Sequence, residues 1–343
     1  MSQNQDVEVR AASAEEFWQY VRWLEKTASW MEGRDIEQWT ADSIAAQKTL
    51  LEKAWRRGEL VITLEDGIPI AGALVSRSPS IEVEQLWSDV PTPDSRTQAY
   101  MQKMVIDPDR RGAGLGASVL DALEDYARAL NCSGVRLDCV ARNQFLPRFY
   151  QDAGYFPRGE RELLGTAVIR MDKDLVAASE LTAMLPGWRE DFVGTLLFVV
   201  QDGKVLLIRK KRGHGAGKIN APGGKPEGTE TPLECALRET LEEVGIEVAD
   251  PKLPGEMKFV DTEDPQWRGY VFVAEAFQGE PRETEEAIPR WFALDEIPYA
   301  EMWEDDQLWL PHVLDGAMVD GDFLFTRGRL RAHRLTTTAI ACS

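Results

Sequence analysis

A chain of 343 residues exceeds one ordinary hydrophobic core and predicts two domains, each long enough to bury its own. Its 58 acidic residues outnumber 39 basic ones, giving a net charge of -19, so long nucleic acid and anionic membrane surfaces are poor partners, whereas small nucleotides brought in with a metal ion remain compatible. Cys132, Cys139, Cys235 and Cys342 show no C-x-x-C spacing, MSQNQDVEVR has no basic-then-apolar leader, and no apolar run is of membrane-spanning length, so a soluble protein of the reducing cytoplasm is expected.

Residues 7–10 read as a short strand and residues 13–27 as a helix whose Phe17, Trp18, Val21 and Leu24 form an apolar stripe. A second helix is predicted over residues 42–55, and tryptophans at this spacing are core residues first. Apolar runs at 59–65 and 68–76 flank Asp66-Gly67, a hairpin signal. Residues 81–87 alternate apolar with acidic positions, as in a strand with one solvated face, and residues 100–106 give a further strand. That strand runs into Asp107-Pro108-Asp109-Arg110-Arg111-Gly112-Ala113-Gly114-Leu115-Gly116-Ala117 and then a helix. A strand, a glycine loop and a helix start make a phosphate cradle: backbone N–H groups converge, the helix dipole favours an anion, and Arg111 adds charge-assisted bonds. Gly112, Gly114 and Ala117, with Asp138 downstream, also satisfy a dinucleotide pattern, but that fold needs several more strand and helix units than the chain leaves before its second domain.

The order Arg111-x-x-Gly114-x-Gly116, a strand over 134–140, Asn143 and a helix over 145–152 closing in Phe149-Tyr150-Gln151-Asp152-Ala153-Gly154-Tyr155 resembles the GNAT acetyltransferases over residues 6–173. Tyr155 stands where the family's Y-x-x-x-G-F segment has Phe. The resemblance implies a mixed central sheet flanked by helices, ending in a strand over 163–171, whose fourth strand splays from the fifth. Backbone groups near Met104, Val105 and Ile106 would then hold the acetyl and pantetheine portion of acetyl-CoA, with Arg111, Gly112, Gly114, Gly116 and Asn143 completing its site. Tyr150 would protonate the departing CoA thiolate, its plain alternative being a half-buried core phenol. Glu82 and Glu84 are candidate bases toward the acceptor amine, though alternating charges equally suit a solvated strand face. No motif names that amine.

Residues 174–190, with Ala, Ser, Pro and Gly and little period, read as the linker between a first domain at 1–173 and a second at 191–333, with 334–343 as a tail. Strands are predicted at 195–200 and 205–210 around Asp202-Gly203, at 257–261, 269–277 and 290–294, with a late helix over 305–314. Between them lies GGKPEGTETPLECALRETLEEVGI, residues 223–246. Thr231 is an N-cap, Pro232 takes the first helical position, Glu234 completes a capping box and Gly245 stops the helix. Leu233, Leu237, Leu241 and Val244 are its expected buried stripe. Glu239, Glu242 and Glu243 stand at i, i+3 and i+4, so three carboxylates share one face and call for positive charge between them. Hard oxygen donors suit Mg²⁺ or Mn²⁺, and a solvated acidic face is the plain alternative.

Gly224, Glu230, Arg238, Glu239, Glu242, Glu243, Gly245 and Ile246 are in register with the signature of the Nudix hydrolases, and only Thr240 replaces the usual aliphatic residue. The resemblance covers residues 191–333 and implies an α/β/α sandwich that uses Mg²⁺ or Mn²⁺. A carbonyl of Gly223 or Gly224 and the carboxylates of Glu239, Glu242, Glu243 and the remote Glu286 would hold metal, and Arg238 would orient the carboxylates. Three further segments, at 210–220, 291–298 and 302–309, resemble the animal, MutT-like 8-oxo-dGTP diphosphatases. They imply base recognition by Asn220, Asp305 and Asp306, stacking on Trp303, and Thr195 and Lys210 near the nucleotide. One proton shared by a close Asp pair lets one acid donate while the other accepts, which suits an oxidised purine edge. Asp305 and Asp306 would equally cap the helix after them, Glu286 would equally be surface charge, and Thr195 and Lys210 ordinary strand residues. His214 and Ala221-Pro222 depart from the animal pattern.

The implied protein is bifunctional: it sanitises oxidised purine nucleoside triphosphates such as 8-oxo-dGTP, and 2-hydroxy-dATP beside it, to monophosphate and pyrophosphate, and it transfers acetyl from acetyl-CoA to an amine. Three other readings stand beside it. The second domain hydrolyses another nucleoside diphosphate derivative; it senses nucleotide and governs the first; or the first binds acetyl-CoA without transfer.

Overall fold

The computed structural model describes residues 7–34, 36, 39–90, 97–143, 145–213 and 215–339. His214 and Cys342 lie outside them. The chain divides into two compact units, Met1–Val176 and Ala177–Ser343.

In chain order the first unit comprises β1 (Val7–Ala11), α1 (Ala14–Glu32), α2 (Ala41–Arg56), β2 (Leu60–Glu65), β3 (Ile68–Ser76), α3 (Ile81–Leu86), β4 (Gln98–Ile106), α4 (Gly116–Ala129), β5 (Gly134–Val140), α5 (Phe145–Asp152), β6 (Phe156–Leu163) and β7 (Thr166–Asp174). Its strands form one mixed sheet in the order β1-β2-β3-β4-β5-β7-β6. Side-chain alternation gives the sheet two faces. Val135, Leu137 and Cys139 of β5 join Val119, Leu120 and Tyr150 in a core beneath α4 and α5. Leu60, Ile62 and Leu64 of β2 point the other way, into a core with Phe17, Tyr20 and Leu24 of α1 and with α2.

Two sequence expectations give way in this unit. Residues 81–87 form α3 rather than a strand: Val83, Leu86 and Trp87 recur at helical spacing and bury together against Tyr100 and Val168. The strand expected over 163–171 is interrupted at Leu164 and Gly165, whose φ of 50° and 81° make the turn of a β6–β7 hairpin.

The helix α6 (Leu175–Met184) begins at the end of the first unit and runs on in the second, which continues with β8 (Phe192–Gln201), β9 (Lys204–Lys210), β10 (Ile219–Asn220), α7 (Pro232–Val244), β11 (Glu247–Ala249), β12 (Lys252–Asp261), β13 (Trp267–Ala274), β14 (Ala276–Gln278), β15 (Ala287–Ala293), α8 (Asp306–Leu314), β16 (Ala317–Thr326) and β17 (Arg329–Ala339). The main sheet runs β10-β9-β8-β13-β12-β16-β17, with β15 also paired to β9. Leu197 and Val199 of β8 face Ala236 and Val244 of α7, while the intervening Phe198 meets Trp309 of α8 edge-on at 5.9 Å. The sheet therefore lies between two helices, an α/β/α arrangement.

The expected linker is in part structured: α6 occupies it, with Ala177 and Leu181 buried among Val260, Leu324 and Ala332. The expected tail is likewise strand as far as Ala339, paired along β16. Cys132, Cys139 and Cys235 are buried free thiols. Among the described residues no helix is long and apolar enough to cross a membrane.

Candidate active sites of the two units

Helix α7 carries the caps its sequence announces. Thr231 Oγ1 accepts from the Glu234 amide at 3.2 Å, the Glu234 carboxylate accepts from the Thr231 amide at 2.8 Å, and Gly245 ends the helix at a φ of 75°. The buried stripe differs from expectation. Cys235, Ala236, Thr240 and Val244 face the core, while Leu233 and Leu241 are 38% and 47% exposed. Thr240 fits because its hydroxyl donates to the Ala236 carbonyl at 2.7 Å.

This rotation turns Glu239 and Glu243 toward the glycine pair. The Gly223 amide donates to Glu243 at 2.9 Å, and the Gly224 carbonyl accepts from the Thr195 amide at 2.9 Å and from its hydroxyl at 3.3 Å. No side chain fits at either glycine: a Cβ would lie 1.9 Å from the Thr195 carbonyl oxygen at Gly223, and 2.3 Å from a Glu239 carboxylate oxygen at Gly224. Thr195, expected near the nucleotide with an ordinary strand residue as its plain alternative, fastens the glycine loop to β8.

The positive charge called for between the glutamates comes from two side chains. Arg238 grips Glu230 through two bonds of 2.7 and 3.0 Å and reaches Glu239 at 3.0 Å and Glu242 at 3.1 Å. Lys210 stands 3.3 Å from Glu243, whose side chain is 1% exposed. Burial pushes the carboxyls of both Glu239 and Glu243 upward. Among the described residues no three His, Cys, Asp or Glu side chains converge on one point. The donor chemistry nevertheless suits a hard divalent cation: the carboxylates offer oxygen alone, and the missing side chain at Gly224 lets Glu239 approach the backbone. Glu286 is not brought into this group. It lies in the acidic loop before β15, where its carboxylate pairs with Arg212 while Glu283 pairs with Lys211.

A second cluster sits at the start of α8. Asp305 and Asp306 are 3% and 2% exposed, and neither caps the helix. Asp305 accepts from the Trp309 indole at 2.9 Å, and Asp306 from the Trp303 amide at 2.9 Å. Burial raises both carboxyls, Asp305 to about 6, and the neighbouring Asp305 raises Asp306 further. Two buried neighbouring acids therefore favour sharing a proton more than separate exposed aspartates do. Lys218 lies over the Trp303 ring at 4.7 Å and donates to the Met302 carbonyl at 2.9 Å, fixing the indole. Sequence reading passed over Lys218, although it stands two residues before Asn220. Asn220 itself, on β10, uses its side-chain oxygen on the Ala221 amide at 2.8 Å, leaving the amide NH₂ as the end it can turn to a ligand.

In the first unit β4 and β5 pair only from Gln98 to Tyr100, opposite Gly134 to Arg136, and then diverge. A bulge in β4, with Lys103 at a φ of 51°, sharpens the divergence. The opening is a cleft of about 880 Å³. Met104, Val105, Ile106, Arg111, Gly112, Gly114, Gly116, Asn143 and Tyr150 all line it. Gly112 and Gly114 have φ of 84° and 75°, which bends the loop into the start of α4, where no side chain caps the helix. Arg111 stacks over Trp30 at 4.0 Å. Asn143 has a structural duty as well, since its side-chain oxygen accepts from the Phe145 and Leu146 amides at 3.1 Å. Tyr150 is buried edge-on between Phe149 and Tyr155, and burial pushes its phenol upward. Glu82 and Glu84 are exposed on α3 and do not line the cleft, so neither stands where a base toward the acceptor is needed.

Residues 191–313 match the NUDIX domain, and residues 18–155 match the acetyltransferase (GNAT) family. Over 132 residues the chain is 44% identical to the oxidized purine nucleoside triphosphate hydrolase of Danio rerio, covering 38% of this chain and 85% of that protein. Identity to the protein of the same name from Mus musculus is 42% over the same length, with the same shares. An uncharacterized N-acetyltransferase of Bacillus subtilis (strain 168), YesJ, is 27% identical over 133 residues, covering 38% of this chain and 72% of that protein.

Proposed function

From a chain that belongs to the Nudix hydrolases through its C-terminal domain and carries a GNAT acetyltransferase domain before it, we propose a bifunctional enzyme. The C-terminal domain hydrolyses oxidised purine nucleoside triphosphates to monophosphate and pyrophosphate with Mg²⁺ or Mn²⁺. The N-terminal domain transfers acetyl from acetyl-CoA to an amine. The observation that carries the nucleotide reading is the buried Asp305-Asp306 pair, which makes no side-chain cap and whose carboxyls burial pushes upward. Burying two acids side by side is costly, one bond from the Trp309 indole and one from the Trp303 amide leave carboxyl oxygens over, and a ligand edge that needs one donor and one acceptor would use them. The Danio rerio and Mus musculus relatives, named for oxidised purine nucleoside triphosphates, support the same substrate class.

In this reading Trp303, held by Lys218, stacks on the purine, Asp305 and Asp306 read its edge, and the amide of Asn220 adds a donor. Glu239, Glu242 and Glu243 would hold the metal with a glycine-loop carbonyl. Gly223 is the better donor there, since the Gly224 carbonyl is already taken by Thr195. An ion held there would neutralise phosphate charge and lower the pKa of a water, so that hydroxide is available for attack. Arg238 keeps Glu239 and Glu242 oriented from the outer side, and Lys210 sets Glu243. Glu286 would join only after leaving Arg212. In the acetyltransferase domain the Arg111 loop cradles the CoA phosphates, the diverging end of β4 receives the thioester, and Tyr150 gives the departing sulfur a proton.

Pyrophosphate release from 8-oxo-dGTP, 2-hydroxy-dATP, dGTP and dinucleoside polyphosphates tests the nucleotide reading. Oxidised purines should be preferred; Glu243→Gln should lose about 100-fold or more in kcat, and Asp306→Ala should lose the preference for the oxidised base. A preference for unmodified or dinucleoside substrates that Asp306→Ala leaves in place would reduce the reading to Nudix hydrolysis of unknown specificity.

A further inference from the structure

The acetyltransfer reading leaves the acceptor unnamed, and among the charged residues of the cleft that it does not use are one acid and one base on the two diverging strands. Asp138 on β5 and Lys103 on β4 both line the cleft. Their place relative to the sheet matters. Leu137 and Cys139 flank Asp138 in sequence and belong to the core beneath α4 and α5, where Tyr150 also lies. Asp138 therefore points to the opposite face, where its carboxylate accepts from the hydroxyl of Tyr100. Tyr100 in turn is packed among Val83, Leu86 and Trp87 on that same face. The cleft thus runs through the sheet where β4 and β5 part, with the thiolate's proton donor on one side and a buried carboxylate on the other.

Lys103 sits at the bulge in a left-handed backbone conformation, and the Tyr20 hydroxyl holds its carbonyl at 3.0 Å. Its ammonium lies 5.7 Å over the ring of Trp39, which lines the cleft as well. The two charges are close enough to influence each other. Yet among the described residues Lys103 forms no ion pair, with Asp138 or with any other acid. Opposite charges in one cleft, the carboxylate held by Tyr100 and the ammonium carried on backbone fastened by Tyr20, and not paired with each other, suit a ligand that bridges them.

The geometry points to Asp138 and Lys103 as the two ends of an acceptor subsite for a small amine that also bears an acid group, of the amino-acid kind. This rests on the acetyltransfer reading. The ligand's ammonium meets Asp138, its acid meets Lys103, and its carbon skeleton lies along Trp39. Asp138 takes one proton from the ammonium, and the freed amine forms the C–N bond to the thioester carbonyl. The C–S bond then breaks, and the CoA sulfur takes the phenolic proton of Tyr150. The nitrogen's second proton, lost as the amide forms, returns to the Tyr150 phenolate through water in the cleft, and Asp138 releases its proton to solvent. Ammonium and thioester give amide, free thiol and one proton.

The test is CoA thiol release by the full chain with matched amines: amino acids, their methyl esters, and the amines lacking the carboxylate. Wild type should favour the acid-bearing members by about tenfold or more in kcat/KM, as a charge-assisted bond to Lys103 allows. Lys103→Met should remove most of that ratio through KM. Asp138→Asn should lower kcat about 100-fold with every amine, the scale of a lost general base. Calorimetric binding of acetyl-CoA by each variant shows that its cleft is folded. Active wild type that treats esters and acids alike overturns the subsite without reference to any variant, and so does unchanged kcat in a folded Asp138→Asn. Wild type that binds acetyl-CoA but acetylates no amine overturns the acetyltransfer reading itself.

Discussion

Gly223 occupies a place where a single methyl group is too much. Its φ of 155° and the 1.9 Å that would separate a Cβ from the Thr195 carbonyl leave no rearrangement confined to a side chain. Gly223→Ala should destabilise the C-terminal domain by about 3 kcal/mol, since backbone must move to admit it, and thermal unfolding would show the loss in that domain's transition alone. The Asp305-Asp306 pair makes the opposite kind of demand, being most favourable to the fold when it carries a proton. Folding raises Asp305 from the ordinary 3.8 to about 6, so the folded chain binds protons more tightly than the unfolded chain between these values. The pair's contribution to stability is therefore most favourable below the unfolded value and is lost as pH rises through that window. Urea midpoints measured from pH 4 to 6.5 should fall more steeply for wild type than for Asp305→Asn, and parallel curves would mean that the pair is ionised. The sequence made the pair visible but could not decide between capping and recognition, because either use begins with two acids before a helix. The decision lies in which amides and indoles surround them.

At the scale of single elements, local chemistry was legible and facing was not. Thr231, Pro232, Glu234 and Gly245 each act within one turn of their own position, so the ends of α7 follow from the sequence alone. Thr231→Ala should cost about 1 kcal/mol, the usual worth of an N-cap, and the same thermal transition would register it. The buried face of α7 depended on something remote: Glu239 and Glu243 had to meet the glycine loop, and that rotation carried Leu233 and Leu241 into solvent. Residues 81–87 show the same limit. Their acidic and apolar alternation was compatible with a strand, but Val83, Leu86 and Trp87 also satisfy a helical stripe, and the apolar surface of Tyr100 and Val168 selects it. The divergence of β4 from β5 was legible only through family resemblance, and Asp138 was visible only as part of a dinucleotide pattern. Its use became apparent once alternation along β5 set it on the face opposite Tyr150.

Over the whole chain, both folds were recoverable because each carries a glycine-bearing motif whose spacing survives without tertiary knowledge. The boundary between them carries no such motif. Residues 174–190 looked like linker from composition, yet Ala177 and Leu181 of α6 are buried with Val260, Leu324 and Ala332. These contacts join segments more than seventy positions apart, and no local pattern foretells them. They also make the boundary testable. A fragment beginning at residue 177 retains all but the first two residues of the helix, whereas one beginning at residue 191, the start suggested by composition, exposes the apolar surface that Ala177 and Leu181 cover. Losing a buried leucine with its neighbours costs about 2–5 kcal/mol, a large part of the stability of a domain this size. The longer fragment should therefore unfold at a distinctly higher urea concentration than the shorter one, with Leu181→Ala in the longer fragment falling between them. Equal midpoints for all three would mean that α6 adds nothing to the second core and that the domain begins where composition alone would place it.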